Sequence, residues 1–230
     1  MEYAQNGSLR QHLNNSFNSL NWNNKIYNLY GIAAGLKIIH GKGLIHHDFH
    51  CGNILNSKKV DEDKSLYSLI TDLGLCRPAN VETSPNNNKQ IFGVLPYVAP
   101  EVLRGKEYTQ ASDIYGFGII AHELCTGLSP YHDIPHDEFL AIKICQGLRP
   151  TSNYKIPQLI LDIIQECLDA DPLKRPKADE LYYFFADLWF KTHKNYEENF
   201  NSPINQQIRE VDEINKQLHP LTIPSTDILS

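Results

Sequence analysis

The period of the apolar positions changes several times along the chain, and each change predicts an element. Trp22, Ile26, Leu29, Ala33, Leu36 and His40 recur at three- and four-residue spacing, which predicts a long helix from about Trp22 to His40 with one buried face, ended by Gly41 and Gly43. Short apolar runs follow at Leu44-Ile45, Ile54-Leu55 and Tyr67 to Thr71. The last two read as strands joined by a charged hairpin turn, Asn56 to Lys64. Ser112 to Leu124 is apolar nearly all round and predicts a core helix. Asp137 to Gln146, Pro157 to Leu168 and Lys177 to about Lys194 predict further helices, the second with Ile160, Ile163, Ile164, Cys167 and Leu168 inward. Two polar, Asn-rich stretches separate these elements, and Asn14 to Asn24 and Leu75 to Leu95 are both expected to be loops. The fold class expected is mainly α with a few short β-strands.

Composition narrows the possibilities. A chain of 230 residues with 41% hydrophobic content supports one domain with a sizeable core. Residues 195–230 carry six acids against two bases; Ile204, Ile208, Val211 and Leu218 predict one helix there, in a tail otherwise expected to be disordered. A net charge of −6 with scattered bases argues against nucleic acid as a partner. The apolar stretch near Tyr115 to Leu124 is too short for a bilayer, and Met1-Glu2-Tyr3 lacks the basic start of a signal peptide. Five dispersed cysteines without a C-x-x-C suit reduced thiols in a cytoplasmic protein.

The chemistry concentrates in His46-His47-Asp48-Phe49-His50-Cys51-Gly52-Asn53, a polar loop between apolar runs, with a further carboxylate at Asp72 before Leu73-Gly74. Two carboxylates and an amide brought together this way can hold a divalent cation and accept a proton from a hydroxyl. Simpler roles stand beside this one: Asp48 as the cap of a turn, Asn53 in an Asx-turn, Asp72 as a strand-end cap. The crowded His46, His47, His50 and Cys51 also raise zinc, but their spacing matches none of its usual motifs. Cys76 beside Asp72 is either a reactive thiol or an inert one.

His46-His47-Asp48-Phe49 with Asn53, then Asp72-Leu73-Gly74, then Ala99-Pro100-Glu101 resemble, in order and spacing, the H-R-D-L-x-x-x-N, D-F-G and A-P-E motifs of protein kinases. Pro96-Tyr97-Val98 looks most like the tyrosine-kinase-like group, and the resemblance runs from Met1 to about Lys194. It implies that residues 1–194 form a kinase domain beginning at the hinge, a truncated C-terminal lobe without its N-terminal lobe, followed by the 195–230 tail. It implies transfer of the ATP γ-phosphate to a protein hydroxyl, of Ser or Thr, in signal transduction. Asp48 would orient the nucleophile, Asn53 and Asp72 would hold Mg²⁺, and Glu2, Ala4 and Leu55 would line the ATP site. His46, Leu73 and Gly74 would support that site, Asp113 would hydrogen-bond back to the catalytic loop, and Arg175 of Asp171-Pro172-x-x-Arg175-Pro176 would pair with Glu101.

Thr83 and Ser84 would be phosphosites in the activation loop, and the helical lobe and tail would offer docking surfaces to partner proteins. No G-x-G-x-x-G loop or V-A-I-K-type lysine lies ahead of the catalytic stretch; Gly116-Phe117-Gly118 lies in a helical stretch and is not a phosphate loop. Little activity is therefore expected of the chain alone, and Met1 is readable as an internal residue of a longer protein. His47 stands where the family has Arg, and His50 and Val94 replace two usual marks of Ser/Thr specificity, Lys and Thr. A non-catalytic, kinase-like binding module is the alternative reading.

Overall fold

The structure, a computed structural model, describes residues 7–58, 66–79, 93–192 and 201–218. Its helices are α1 (Leu9–Ser16), α2 (Trp22–Gly41), α3 (Pro100–Leu103), α4 (Gln110–Thr126), α5 (Glu138–Cys145), α6 (Gln158–Cys167), α7 (Ala178–Thr192) and α8 (Pro203–Lys216). The strands are β1 (Leu44–Ile45), β2 (Ile54–Lys58), β3 (Leu66–Ile70) and β4 (Arg77–Pro78). They form two antiparallel pairs, β1 with β4 and β2 with β3. The mainly helical class expected from the periodicity is the one observed. Met1, Glu2, Ala4, Thr83 and Ser84 lie outside the described residues.

The Asn-rich stretch 14–24 corrects one expectation. Instead of a surface loop, α1 runs on through Ser16, a 3₁₀ turn covers Phe17–Ser19, and α2 starts at Trp22. The cause is local and then tertiary. Ser8 and Gln11 form a capping box that starts α1. Leu9, Leu13, Phe17, Leu20 and Trp22 then bury their side chains in the core, while the asparagines between them face out. Asn21 caps α2 by accepting from the Asn24 amide at 2.9 Å.

Helix α2 packs against α7 on one side and β3 on another. Gly31 makes the second contact close: a Cβ there would lie 3.2 Å from the Ser68 carbonyl oxygen. Helix α4 is buried along nearly its whole length and forms the centre of the core. Lys25 is buried among Phe17, Trp22 and Tyr154, its Nζ 4.2, 4.6 and 4.8 Å from their ring centroids, and it donates to the Cys125 carbonyl at 2.9 Å. Burial pulls its ammonium down to about 8.

Two long-range attachments tie the described elements together. Arg175 donates from Nη1 and Nη2 to the two oxygens of Glu101, both at 2.7 Å, and also to the Ala111 and Asp169 carbonyls. Losing one partner of so buried a pair costs ~3–5 kcal/mol. Helix α8 docks through its side chains onto backbone: Asn215 pairs with both the N–H and the C=O of Lys155, at 2.8 and 2.9 Å. Gln207 accepts from the Leu159 amide at 3.0 Å. That amide sits in the first turn of α6, whose N-cap, Pro157, offers no side-chain acceptor. Among the described residues no helix is long and apolar enough to cross a membrane.

Candidate functional site

The loop between β1 and β2 is fixed from below by α4. Asp113 Oδ2 accepts from the His46 amide at 2.8 Å and lies 2.9 Å from His40 Nε2; its Oδ1 accepts from the His47 amide at 3.3 Å. Asp113 and His46 are both buried. His46 Nε2 lies 3.0 Å from the Thr71 carbonyl. A carbonyl only accepts, so Nε2 carries the proton. His47 takes a left-handed backbone, φ 72°, which a non-glycine residue holds only when its surroundings enforce it; here its amide is tied to Asp113 and its ring stacks on Tyr108, centroids 4.7 Å apart. Burial, with Arg77 and His46 adding, lowers the His47 imidazolium below its usual range against the pull of Asp113.

Asp48 emerges from this loop with a donor on one carboxylate oxygen and the His50 ring beside the other. Asn53 Nδ2 donates to Oδ2 at 3.0 Å and to the Asp48 carbonyl at 2.9 Å, while His50 Nε2 lies 3.3 Å from Oδ1. The Asn53 nitrogen is thereby committed and its side-chain oxygen is left over. The β2–β3 register then brings Asp72 to the same end of the hairpin. Ile54 pairs with Ile70, and the Asn53 carbonyl accepts from both the amide and the hydroxyl of Thr71, at 2.9 and 3.1 Å. Asp72 is the next residue, in the left-handed region at φ 58°, ψ 55°, exposed and without a side-chain hydrogen bond to the turn it begins. Leu73 is 54% exposed and Gly74 is exposed too, so this segment stands at the surface while the loop of Asp48 is rooted in the core. Leu55 is half-buried on β2.

Beneath Asp48 and His50 lies a polar cluster that sequence reading missed. Tyr97 donates to Glu123 Oε2 at 2.5 Å, and Arg10 pairs with Glu123 and donates to Tyr97 and Ser129. Burial raises the Glu123 carboxyl, opposed by Arg10 beside it, and pushes the Cys51 thiol well up. Cys76 is also raised, by burial and then by Asp113 and Asp72, so neither thiol is activated. The three histidines of the loop have separate partners: His46 on Thr71, His47 on Tyr108, His50 on Asp48 and Gly52. Among the described residues no group of three or more His, Cys, Asp or Glu is placed to hold a metal ion.

The profile of the protein tyrosine and serine/threonine kinase family matches residues 1–185. The chain belongs to the protein kinases. Similar proteins include a probable serine/threonine-protein kinase, roco5, of Dictyostelium discoideum, 36% identical over 79% of this chain and 7% of that protein. A protein kinase and PP2C-like domain-containing protein of Arabidopsis thaliana is 29% identical over 69% of this chain and 28% of that protein. An RGS domain-containing serine/threonine-protein kinase A of Dictyostelium discoideum is 27% identical over 84% of this chain and 16% of that protein. The chain thus spans less than a third of the length of these relatives.

In this kinase the fold brings Asp48, Asn53, His46 and Asp113 into one bonded unit and sets Asp72, Leu73 and Gly74 beside it at the hairpin end. Glu101 and Arg175 pair elsewhere, holding α3 to the turn before α7. His40, Thr71 and the Arg10–Glu123 pair belong to none of the sequence motifs. His40 was visible only as a helix-face residue, and Thr71 only as a strand end. Nothing in the sequence ties Arg10 to partners about a hundred residues away.

Proposed function

We propose that this kinase domain transfers the γ-phosphate of ATP to a protein hydroxyl, of Ser or Thr. The observation that carries the reading is the Asp48 carboxylate, bonded at one oxygen by Asn53 and approached at the other by His50, on a loop whose Asn53 carbonyl is tied to Thr71, the residue before Asp72. Asp48 accepts a hydrogen bond from the attacking hydroxyl and aligns it with the phosphorus. Asn53 Oδ1 and the Asp72 carboxylate are hard oxygen donors suited to Mg²⁺. When bound, that ion neutralises phosphate charge as it shifts during transfer. The chain's own share is positioning, and positioning carries most of the catalysis in this chemistry.

The exposure of Asp72, Leu73 and Gly74 supports a finer reading: residues 1–194 are the C-terminal lobe, and the facing wall of the nucleotide cleft comes from outside residues 1–230. Glu2, Ala4 and Leu55 would meet the adenine end of ATP, and Thr83 and Ser84 would take regulatory phosphates. On this reading the 230-residue chain alone transfers little phosphate. The names of the relatives favour Ser/Thr over Tyr, and Pro96-Tyr97-Val98 favours the tyrosine-kinase-like group. A cytoplasmic role in signalling, with partner proteins docking on the helices and tail, fits both.

The second reading, a non-catalytic module, is favoured by one observation: His47, in place of Arg, is stacked on Tyr108, where burial disfavours its charged form. Phosphate transfer by the full-length protein, compared with its Asp48→Asn variant, separates the two. Catalysis predicts Mg²⁺-dependent labelling of Ser or Thr that falls roughly 10²- to 10⁴-fold in the variant. Equal labelling by both proteins, or none by either, supports the module.

A further inference from the structure

His50 occupies an unusual place for its type. It is the N-cap of the 3₁₀ turn Cys51–Asn53, where Ser, Thr, Asp or Asn would be ordinary. Its Nδ1 accepts from the Gly52 amide at 3.0 Å. An amide nitrogen only donates, so Nδ1 is unprotonated and the ring proton sits on Nε2. That nitrogen lies 3.3 Å from Asp48 Oδ1. At this distance the two groups touch without a formed hydrogen bond, and catalytic contacts of this kind often tighten only in the substrate complex.

The ring has little choice of orientation. A Cβ on Gly52 would fall 2.7 Å from His50 Cε1, so the residue that sets the tautomer must be glycine to leave room for the ring. On its other side the ring meets Tyr97, centroids 5.9 Å apart, and Tyr97 is itself tied to buried Glu123. The His50 side chain remains partly open, at 16% exposure, as does Asp48 at 18%, so the pair faces the outside of the loop.

We propose that His50 is a positioning residue for phosphoryl transfer: its Nε2–H, oriented by Gly52, holds Oδ1 of Asp48 and, with Asn53 on Oδ2, fixes the plane of that carboxylate. The proposal rests on the assignment of Asp48 as the acid that orients the substrate hydroxyl. It gives the loop a neutral donor at the position where the kinase resemblance places a lysine. A purely structural account is also available, in which His50 serves only to cap the turn.

The two accounts separate because Asn and Gln each reproduce one end of the imidazole. His50→Asn keeps an acceptor for the Gly52 amide but places no donor near Asp48. His50→Gln reaches Asp48 with its amide N–H at the position of Nε2. In the full-length protein, positioning predicts that His50→Asn melts near wild type but loses roughly ten- to a hundredfold in kcat, with KM for ATP little changed. It predicts that His50→Gln recovers most of that kcat. Wild-type kcat in His50→Asn together with loss in His50→Gln would overturn the proposal in favour of capping.

Nitrogen NMR of the His50 ring gives a readout independent of activity. A protonated Nε2 whose solvent exchange speeds up in Asp48→Ala supports the pair, and a proton on Nδ1 refutes it. If no form of the protein transfers phosphate, the functional reading fails, and the ring spectrum still decides whether His50 holds Asp48.

Discussion

Two carboxylates at the site, Asp48 and Asp72, are supported in opposite ways. Asp48 sits on a loop whose backbone is pinned to the buried helix α4 through Asp113; Asn53 donates to one of its oxygens and the His50 ring lies against the other. Asp72 sits exposed on a left-handed residue, followed by a leucine 54% exposed, with no side-chain bond to its own turn. The chain's own core therefore determines the position of the group that would orient the nucleophile. Among the described residues it places no hydrogen-bond donor on the carboxylate that would meet a cation, which suits a ligand atom, since a lone pair already given to an N–H is not available to a metal. On this account the base is preorganised by the fold, whereas the metal-binding carboxylate is placed by its hairpin and completed by what binds.

The strongest way to break this contrast is to cut the anchor. Asp113→Ala leaves the His46 and His47 amides without their acceptor and His40 without its partner in a buried setting. Each orphaned group costs roughly 1–3 kcal/mol, so a total loss of at least about 3 kcal/mol is expected by chemical denaturation. A loss under about 1 kcal/mol would mean the loop is held by its own hydrogen bonds and not by the core.

A smaller effect sharpens the same point from the side of pH. Burial lowers His47 from the ordinary 6.5, so the unfolded chain binds a proton that the folded chain resists. Stability tied to His47 is therefore present above pH 6.5 and is lost as pH falls below it. His47→Asn removes the titration and keeps a residue that tolerates the left-handed backbone. The expected outcome is a shallower fall in melting temperature between pH 6.5 and 5 than in wild type. An unchanged slope would place the acid sensitivity elsewhere, with buried His122, lowered to about 4 by burial and by His132, as the next group to test.

The sequence made one half of this contrast readable and hid much of the other. The loop 46–53 was legible because its chemistry is contiguous and its spacing matches a known family. Helices α2 and α6 were legible from the period of their buried apolar residues, and α4 because it is apolar nearly all round. The stretch 14–24 misled because its polar residues outnumber Phe17, Leu20 and Trp22, and burial of those few large side chains overrides the local bias. Strand β4 is two residues long and exists only through its pairing with β1, so no periodicity can reveal it. The apolar face of α8, Ile204, Ile208 and Val211, was legible, but its attachment through Asn215 and Gln207 to backbone groups was not, because polar contacts leave no apolar pattern. The exposure of Asp72 could not be read either, because it depends on what packs over the hairpin end and not on the residues beside it.

The central claim is that Asp48 is fixed by the fold while Asp72 serves the cation. Thermal shift of the full-length protein with ATP, with and without Mg²⁺, tests it most directly. Asp48→Asn is predicted to melt near wild type and to keep the Mg²⁺-dependent shift; Asp72→Asn is predicted to melt within about a degree of wild type without ligand, as exposed substitutions usually do, and to lose that shift. Loss of the shift in Asp48→Asn with retention in Asp72→Asn would contradict the account.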